Sequence, residues 1–260
     1  AFGLGYSHSE DDFPTIQEAL LNGRGLAAAV FGKEKAKSDF LTFFMDIQGI
    51  STPEKLDALL SDSLKSILHG YAEGLNYYAA LHWDQVLMPE FFPVTNVDVM
   101  NASLFKLPIF VRLLQQLEKL GEEDPYYFVS MGGRPSGNKT RESTEKHVEE
   151  NTQDERMGSN AWAINGKRSV NNETYLNINS HLPWTGIIAW YETHVHSEEG
   201  WNAYGGTFAA LPLIMLGFNE HLGWAHTVNR PDVLDTFLLE LDPSDPDHFY
   251  KFDNRSVPFE

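Results

Sequence analysis

Apolar positions recur at helical spacing through the first part of the chain and at alternating spacing in the last part, with a polar stretch between them. In residues 13–31, Ile16, Leu20, Ala27 and Val30 follow one another with few breakers before Gly32, which predicts a helix. Glu10, Asp11 and Asp12 stand at its start, where acidic side chains suit the positive end of a helix dipole. Thr52-Pro53-Glu54 is a second helix start, with a hydroxyl cap and proline at the first helical position. Leu56, Leu60, Leu64, Leu68, Tyr71, Leu75 and Tyr78 then define one long core-facing helix. Met88, Phe91 and Phe92 fall in a proline-punctuated loop, where bulky apolar side chains either plug a core or line a pocket. Thr95-Asn96-Val97-Asp98 has the pattern of a capping box and predicts a helix to about Lys119, kinked or divided at Pro108.

From Gly132 to Arg156 the chain holds almost no large apolar side chain. Such a stretch cannot bury enough surface to offset its ordering entropy, and it reads as an exposed spacer. Beyond it the period drops to two. Trp162 and Ile164 lead into an Asn165-Gly166 turn signal, and Tyr175–Asn179, ending at Ser180-His181, is a second strand. Residues 187–195, 213–216, 224–228 and 235–241 give four more. Helices first and strands afterwards predict an α+β arrangement: a helical segment over 1–131, a spacer over 132–158 and a sheet region over 159–260.

Composition narrows the function. With 260 residues and 42% hydrophobic content, the chain can bury a substantial core. A formal charge of -18 speaks against nucleic acid, whose phosphates call for a basic patch. The absence of cysteine excludes disulfides, thiolate metal sites and a cysteine nucleophile in these residues. No apolar run reaches the length of a membrane span. A start at Ala1 inside a patterned segment and a stop at Glu260 just after a strand-like stretch read as a piece of a longer protein.

Two groups of residues suggest chemistry. Glu192, His194 and His196 alternate and so share one strand face, either as metal ligands or as the wet side of a sheet. The second is the Gly158-Ser159 junction, where the polar spacer meets the first strand. In most proteins this is an ordinary loop-to-strand junction. Were the bond cut, however, the freed α-amine of Ser159, with a reference pKa of roughly 7.7–8.0, would be a base beside the hydroxyl it must activate.

The run Gly158-Ser159-Asn160-Ala161-Trp162-Ala163-Ile164 resembles the start of the β chain in the penicillin acylase family of N-terminal nucleophile (Ntn) hydrolases. Asn179-Ser180-His181-Leu182-Pro183, the stretch from Gly217 to Thr227 and Gly3-Leu4-Gly5-Tyr6-Ser7-His8-Ser9-Glu10-Asp11 are similar to further segments of that family, in the family's order. The resemblance implies an αββα Ntn-hydrolase sandwich, a precursor that cuts itself at Gly158-Ser159, α and β chains from one gene, and a periplasmic or secreted location. It implies that Ser159 is the nucleophile and its amine the base, that His181 steadies both, and that the Val228 N–H is half of an oxyanion hole whose other half, an asparagine, lies beyond Glu260. Met88 and Phe92, with Leu182 and Met215, would line the acyl pocket. A structural calcium ion would be held by Asp98, Asp232, Leu234 (through its carbonyl) and Asp235. Substrates would be N-acylated small molecules: a β-lactam, an acyl-homoserine lactone or an acyl-peptide. The other reading is a non-catalytic relative or an unprocessed fragment that binds an acyl ligand on the same scaffold.

Overall fold

A computed structural model describes residues 1–111, 113, 117, 158–227, 237 and 239–259. The described residues fall into two compact units, one holding those up to 117 together with 158–227 and the other those from 237 to 259; the spacer expected over 132–158 lies, but for Gly158, outside the described residues.

Among the described residues the first unit opens with the α-helices α1 (Phe2–Arg24), α2 (Ala27–Phe31), α3 (Ala36–Phe44), α4 (Ile47–Ile50), α5 (Pro53–Leu59), α6 (Asp62–Leu81), α7 (Asn96–Leu104) and α8 (Leu107–Phe110). The first helix begins earlier than its apolar spacing predicts. It is kinked at Asp12, whose backbone leaves the helical region, and the Asp12 carboxylate accepts from Thr15 N at 3.3 Å. Asp12 alone of the acidic group therefore caps a helix, the second half of α1, while Glu10 and Asp11 lie within the first half. The long helix predicted from Pro53 is two helices. Leu60 is extended, and Ser61 restarts the helix by accepting from Leu64 N at 3.3 Å. The predicted break near Pro108 is present, with α8 carrying that proline in its first turn.

Ile16, Leu20, Leu68, Tyr71, Leu75 and Val99 form the helical core where α1, α6 and α7 meet. Helices α1 and α6 touch backbone to backbone. A Cβ on Gly5 would stand 2.3 Å from the Tyr71 carbonyl oxygen, and one on Gly74 would stand 2.2 Å from that of Phe2. Only glycine permits this approach.

Among the described residues the same unit carries two antiparallel sheets. One is the pair β1 (Gly158–Ile164) and β2 (Tyr175–His181). The other has the order β3 (Tyr191–Ser197), β4 (Trp201–Thr207), β5 (Leu216–Phe218), β6 (Gly223–Trp224). Asn165-Gly166 does not make a two-residue hairpin turn. The Asn165 side chain instead accepts from Lys167 N and starts a short 3-10 turn within a longer connection. The strand predicted over 187–195 starts only at Tyr191, because Gly186 has φ +87 and the chain turns there, with Ala189 N donating to Gly186 O. The second unit holds the sheet β7 (Glu240–Leu241), β8 (Phe249–Phe252), β9 (Arg255–Pro258). Among the described residues no helix is long and apolar enough to cross a membrane.

Aromatic contacts join helices to sheet. The His8 ring stacks on Tyr191 at 4.0 Å, its Nδ1 lies 3.0 Å from the Tyr71 hydroxyl, and Tyr191 donates to Asp11 at 2.5 Å. Burial pushes His8 down to about 4, against the opposing pull of Asp12 and Asp11, so the ring is neutral near pH 7. Lys106 is also buried; its ammonium donates to the Ala102 carbonyl at 2.7 Å, and desolvation lowers its pKa to about 7. For a base with a lowered pKa, the unfolded chain binds the extra proton between the folded and unfolded pKa values. The contribution of Lys106 to stability therefore rises with pH above about 7. Lys106→Met in the full-length protein is expected to stabilise it by roughly 1–3 kcal/mol near neutral pH, the cost of an under-satisfied buried polar group. The gain should shrink steadily toward pH 9. Thermal unfolding of both proteins across that range checks it, and a gain independent of pH would contradict it.

Candidate active site

The Gly158-Ser159 bond lies at the first rungs of the β1–β2 hairpin, where Gly158 pairs with His181 and Ser159 with Ser180. Side chains alternate across a strand, so partners share a face and neighbours do not. Over residues 159–162 and 178–181 burial follows that alternation. Ser159, Ala161, Ile178 and Ser180 are half-buried, whereas Asn160, Trp162, Asn179 and His181 are exposed.

On the half-buried face is a cavity of about 250 Å³, lined by Ser159, Ser180, Leu182, Met215, Leu216, His226 and Thr227 and by the aromatic rings of Phe110, Trp190 and Phe208. The structure thus brings together three of the residues expected from sequence, Ser159, Leu182 and Met215. The aromatic wall was not legible in the sequence. Trp190 stacks on Phe208 at 4.1 Å, and Phe110, reaching in from α8, stacks on the same ring at 5.8 Å. In the sequence Ser180 stands only as part of a strand end; the strand register is what puts it opposite Ser159. His226 Nε2, 2.6 Å from the Met215 carbonyl, joins the two chain segments that meet at the cavity rim.

Other expected site residues are elsewhere. His181 shares the exposed face with Asn160 and Asn179, whose amide nitrogens lie 3.1 and 3.2 Å from its Nε2. Its ring is beside Gly158, across the hairpin from the Ser159 side chain, as strand alternation requires. Met88 and Phe92 are half-buried away from this cavity. Their loop is bound to the helices through Asn76, which exchanges two 2.8 Å hydrogen bonds with Val94, and through Gln17, which accepts from Leu87 N. Phe92 consequently packs on Phe13 and Phe91. Phe92 thus packs against the helical core, and neither Met88 nor Phe92 is among the residues that line this cavity.

Asp98 is buried at the start of α7, where it completes a capping box with Thr95 and pairs with Arg24. One carboxylate oxygen accepts from the Thr95 N–H and hydroxyl, each at 2.7 Å, and the other from the guanidinium. A side chain so satisfied, with a cation already against it, does not fit a calcium ligand. Asp232, Leu234, Asp235 and Val228 lie outside the described residues, although Thr227, adjacent to Val228, reaches the cavity. The strand face with Glu192, His194 and His196 has polar partners of its own. Tyr204 donates to Glu192, and His194 Nε2 is 2.7 Å from Asn202 Oδ1. Among the described residues no group of three or more His, Asp or Glu could hold a metal ion.

This geometry can be set beside known proteins. A family model described as penicillin amidase matches residues 1–260. The chain is 28% identical over 274 residues to the acyl-homoserine lactone acylase PvdQ of Pseudomonas fluorescens (strain Pf0-1), covering 99% of this chain and 34% of that protein. It is 22% identical over 290 residues to the acyl-homoserine lactone acylase QuiP of Pseudomonas aeruginosa, covering 99% and 34% respectively. It is also 30% identical over 94 residues to the aculeacin-A acylase of Actinoplanes utahensis, covering 36% and 12%. The chain spans about a third of the length of the acyl-homoserine lactone acylases it matches.

Proposed function

The chain belongs to the penicillin amidase family, and from that premise we propose that its protein is an N-acyl amide hydrolase whose precursor cuts itself between Gly158 and Ser159. The observation that carries the reading is Ser159 at the wall of a mainly apolar cavity, one residue into a strand. In the mature protein the Ser159 amine takes the hydroxyl proton, and Oγ attacks the carbonyl carbon of an N-acyl amide. The Val228 N–H helps to hold the oxyanion. The C–N bond breaks, the amine leaves with the proton, and water then hydrolyses the ester to release a carboxylic acid and restore Ser159. Calcium enters no step of this scheme.

The cavity favours an apolar acyl group, because most of its lining is aliphatic or aromatic. The names of the relatives point the same way: two are acylases of acyl-homoserine lactones and one of aculeacin A. An αββα sandwich, completed by strands outside this chain, and a periplasmic or secreted location belong to the same reading. Denaturing mass analysis of the full-length protein tests it. Two chains, one beginning at Ser159, support it; a lasting single chain supports an acyl-binding scaffold without catalysis.

The processed protein should also discriminate among chromogenic amides bearing phenylacetyl, glutaryl and long-chain acyl groups. Leu182→Trp fills part of the cavity. It is expected to lower kcat/KM for the longest chain by about 10–100-fold, one to three kcal/mol of lost apolar contact, while a short acyl group is spared. A uniform loss across the panel would place the acyl group elsewhere.

A further inference from the structure

We infer that Asn160 and Asn179 are positioning residues for His181, fixing which ring nitrogen carries the proton beside the Gly158-Ser159 bond; the inference rests on the self-cleavage proposed above. The two asparagines are cross-strand partners on one face of the β1–β2 hairpin, and His181 follows Asn179 on that face. Their side-chain nitrogens, 3.1 and 3.2 Å from Nε2, converge on a single ring atom. An amide NH₂ only donates, so Nε2 must offer its lone pair to both. In the neutral ring the proton then sits on Nδ1. Nδ1 is the nitrogen turned toward Gly158: a Cβ built on that glycine would stand 3.4 Å from it. The other residues on this hairpin face carry no charge, and the only other titratable one is Tyr175 at the far end.

A hydrogen-bond donor rather than a base therefore faces the residue whose carbonyl is attacked. The α-amine that serves as base in turnover does not exist before the first cut. What that cut needs on the Gly158 side is a donor for the carbonyl oxygen as Ser159 Oγ adds to the carbon. The tetrahedral species then collapses to an ester, its nitrogen takes the Oγ proton, and water hydrolyses the ester to a Gly158 carboxylate and a free Ser159. Nδ1–H answers that need in the developing oxyanion, and the asparagine pair keeps it a donor.

Two measurements on the full-length precursor test the assignment. The first is a double-mutant cycle on the rate of cutting, followed on denaturing gels after cell-free synthesis. Asn179→Leu removes one of the two donors to Nε2 without adding a charge and should let the ring's proton move there, slowing cutting by up to about tenfold; an imidazole in the wrong tautomer costs a serine hydrolase up to ~10⁴-fold. In a His181→Gln background the same change should have no further effect. An equal slowing in both backgrounds would mean that Asn179 acts through the sheet and not through His181, and would overturn the proposal. The second is a histidine-selective ¹⁵N spectrum of the Ser159→Ala precursor, with the His181 signals assigned by their loss in His181→Gln. An unprotonated Nε2 with a protonated Nδ1 supports the lock, and a protonated Nε2 in the neutral ring refutes it. The spectrum gives its answer even if the natural precursor is never cut at Gly158-Ser159, an outcome that would defeat the hydrolase reading alone.

Discussion

Ser159→Ala leaves the full-length precursor as one chain and lowers amide hydrolysis by at least about 10⁴-fold, the scale seen when the nucleophile of a serine hydrolase is removed. The change deletes one oxygen from a half-buried position on the cavity wall. Folding should survive it, which near-native thermal unfolding would confirm. The two losses have one cause but separate readouts: cutting is read on a gel, and turnover is read with an added amide. A protein that stays whole yet still hydrolyses amides would have its nucleophile elsewhere. Ser159→Cys sharpens the test, since these 260 residues contain no cysteine of their own. A thiol there keeps a nucleophile beside the α-amine and should permit cutting. Alkylation of that cysteine should then abolish what turnover remains.

Local signals were legible where one or two side chains decide the backbone. Thr52-Pro53 and Thr95 through Asp98 start helices because a hydroxyl meets exposed N–H groups, and both starts are present. The break at Leu60-Ser61 was missed because apolar spacing continues across it; the capping serine was the available signal. Strand β4 was missed for a related reason. Its Gly205-Gly206 pair reads as a turn, yet in a sheet it marks a close approach of backbones.

For the candidate site, the Gly158-Ser159 junction could be found in the sequence, but the side of the hairpin each residue faces could not. Register settles that, and a one-residue slip would exchange the faces of Ser180 and His181. The cavity wall was hidden because Phe110, Trp190 and Phe208 come from three separate segments with no shared motif. Asp98 shows the opposite case, in which the simple helix-start reading is sufficient and the buried carboxylate is used up by Thr95 and Arg24.

Gly205→Ala in the full-length protein is expected to destabilise the fold by about 3 kcal/mol or more, beyond the usual range for a single methyl group. Gly205 and Gly217 are register partners on β4 and β5. A Cβ on Gly205 would stand 2.0 Å from the Leu216 carbonyl oxygen and 2.7 Å from the Gly217 Cα. One on Gly217 would be 2.1 Å from the Tyr204 carbonyl oxygen. These obstacles are backbone atoms held in a ladder, so no rotamer change relieves them and the strands must part. Parting them displaces Met215 and Leu216, which line the cavity, and strains the 2.9 Å bond from Met215 N to the Gly206 carbonyl. Whatever protein still folds should therefore lose hydrolysis of bulky acyl amides more than that of small ones. Gly200→Ala is the control. Its φ of +95 disfavours a side chain, but nothing lies within 4 Å of the added atom. The expected cost there is about 1–2 kcal/mol, with acyl preference unchanged. Equal unfolding temperatures for the two variants would show that β4 and β5 do not meet at these glycines, and the cavity wall built on that pairing would have to be redrawn.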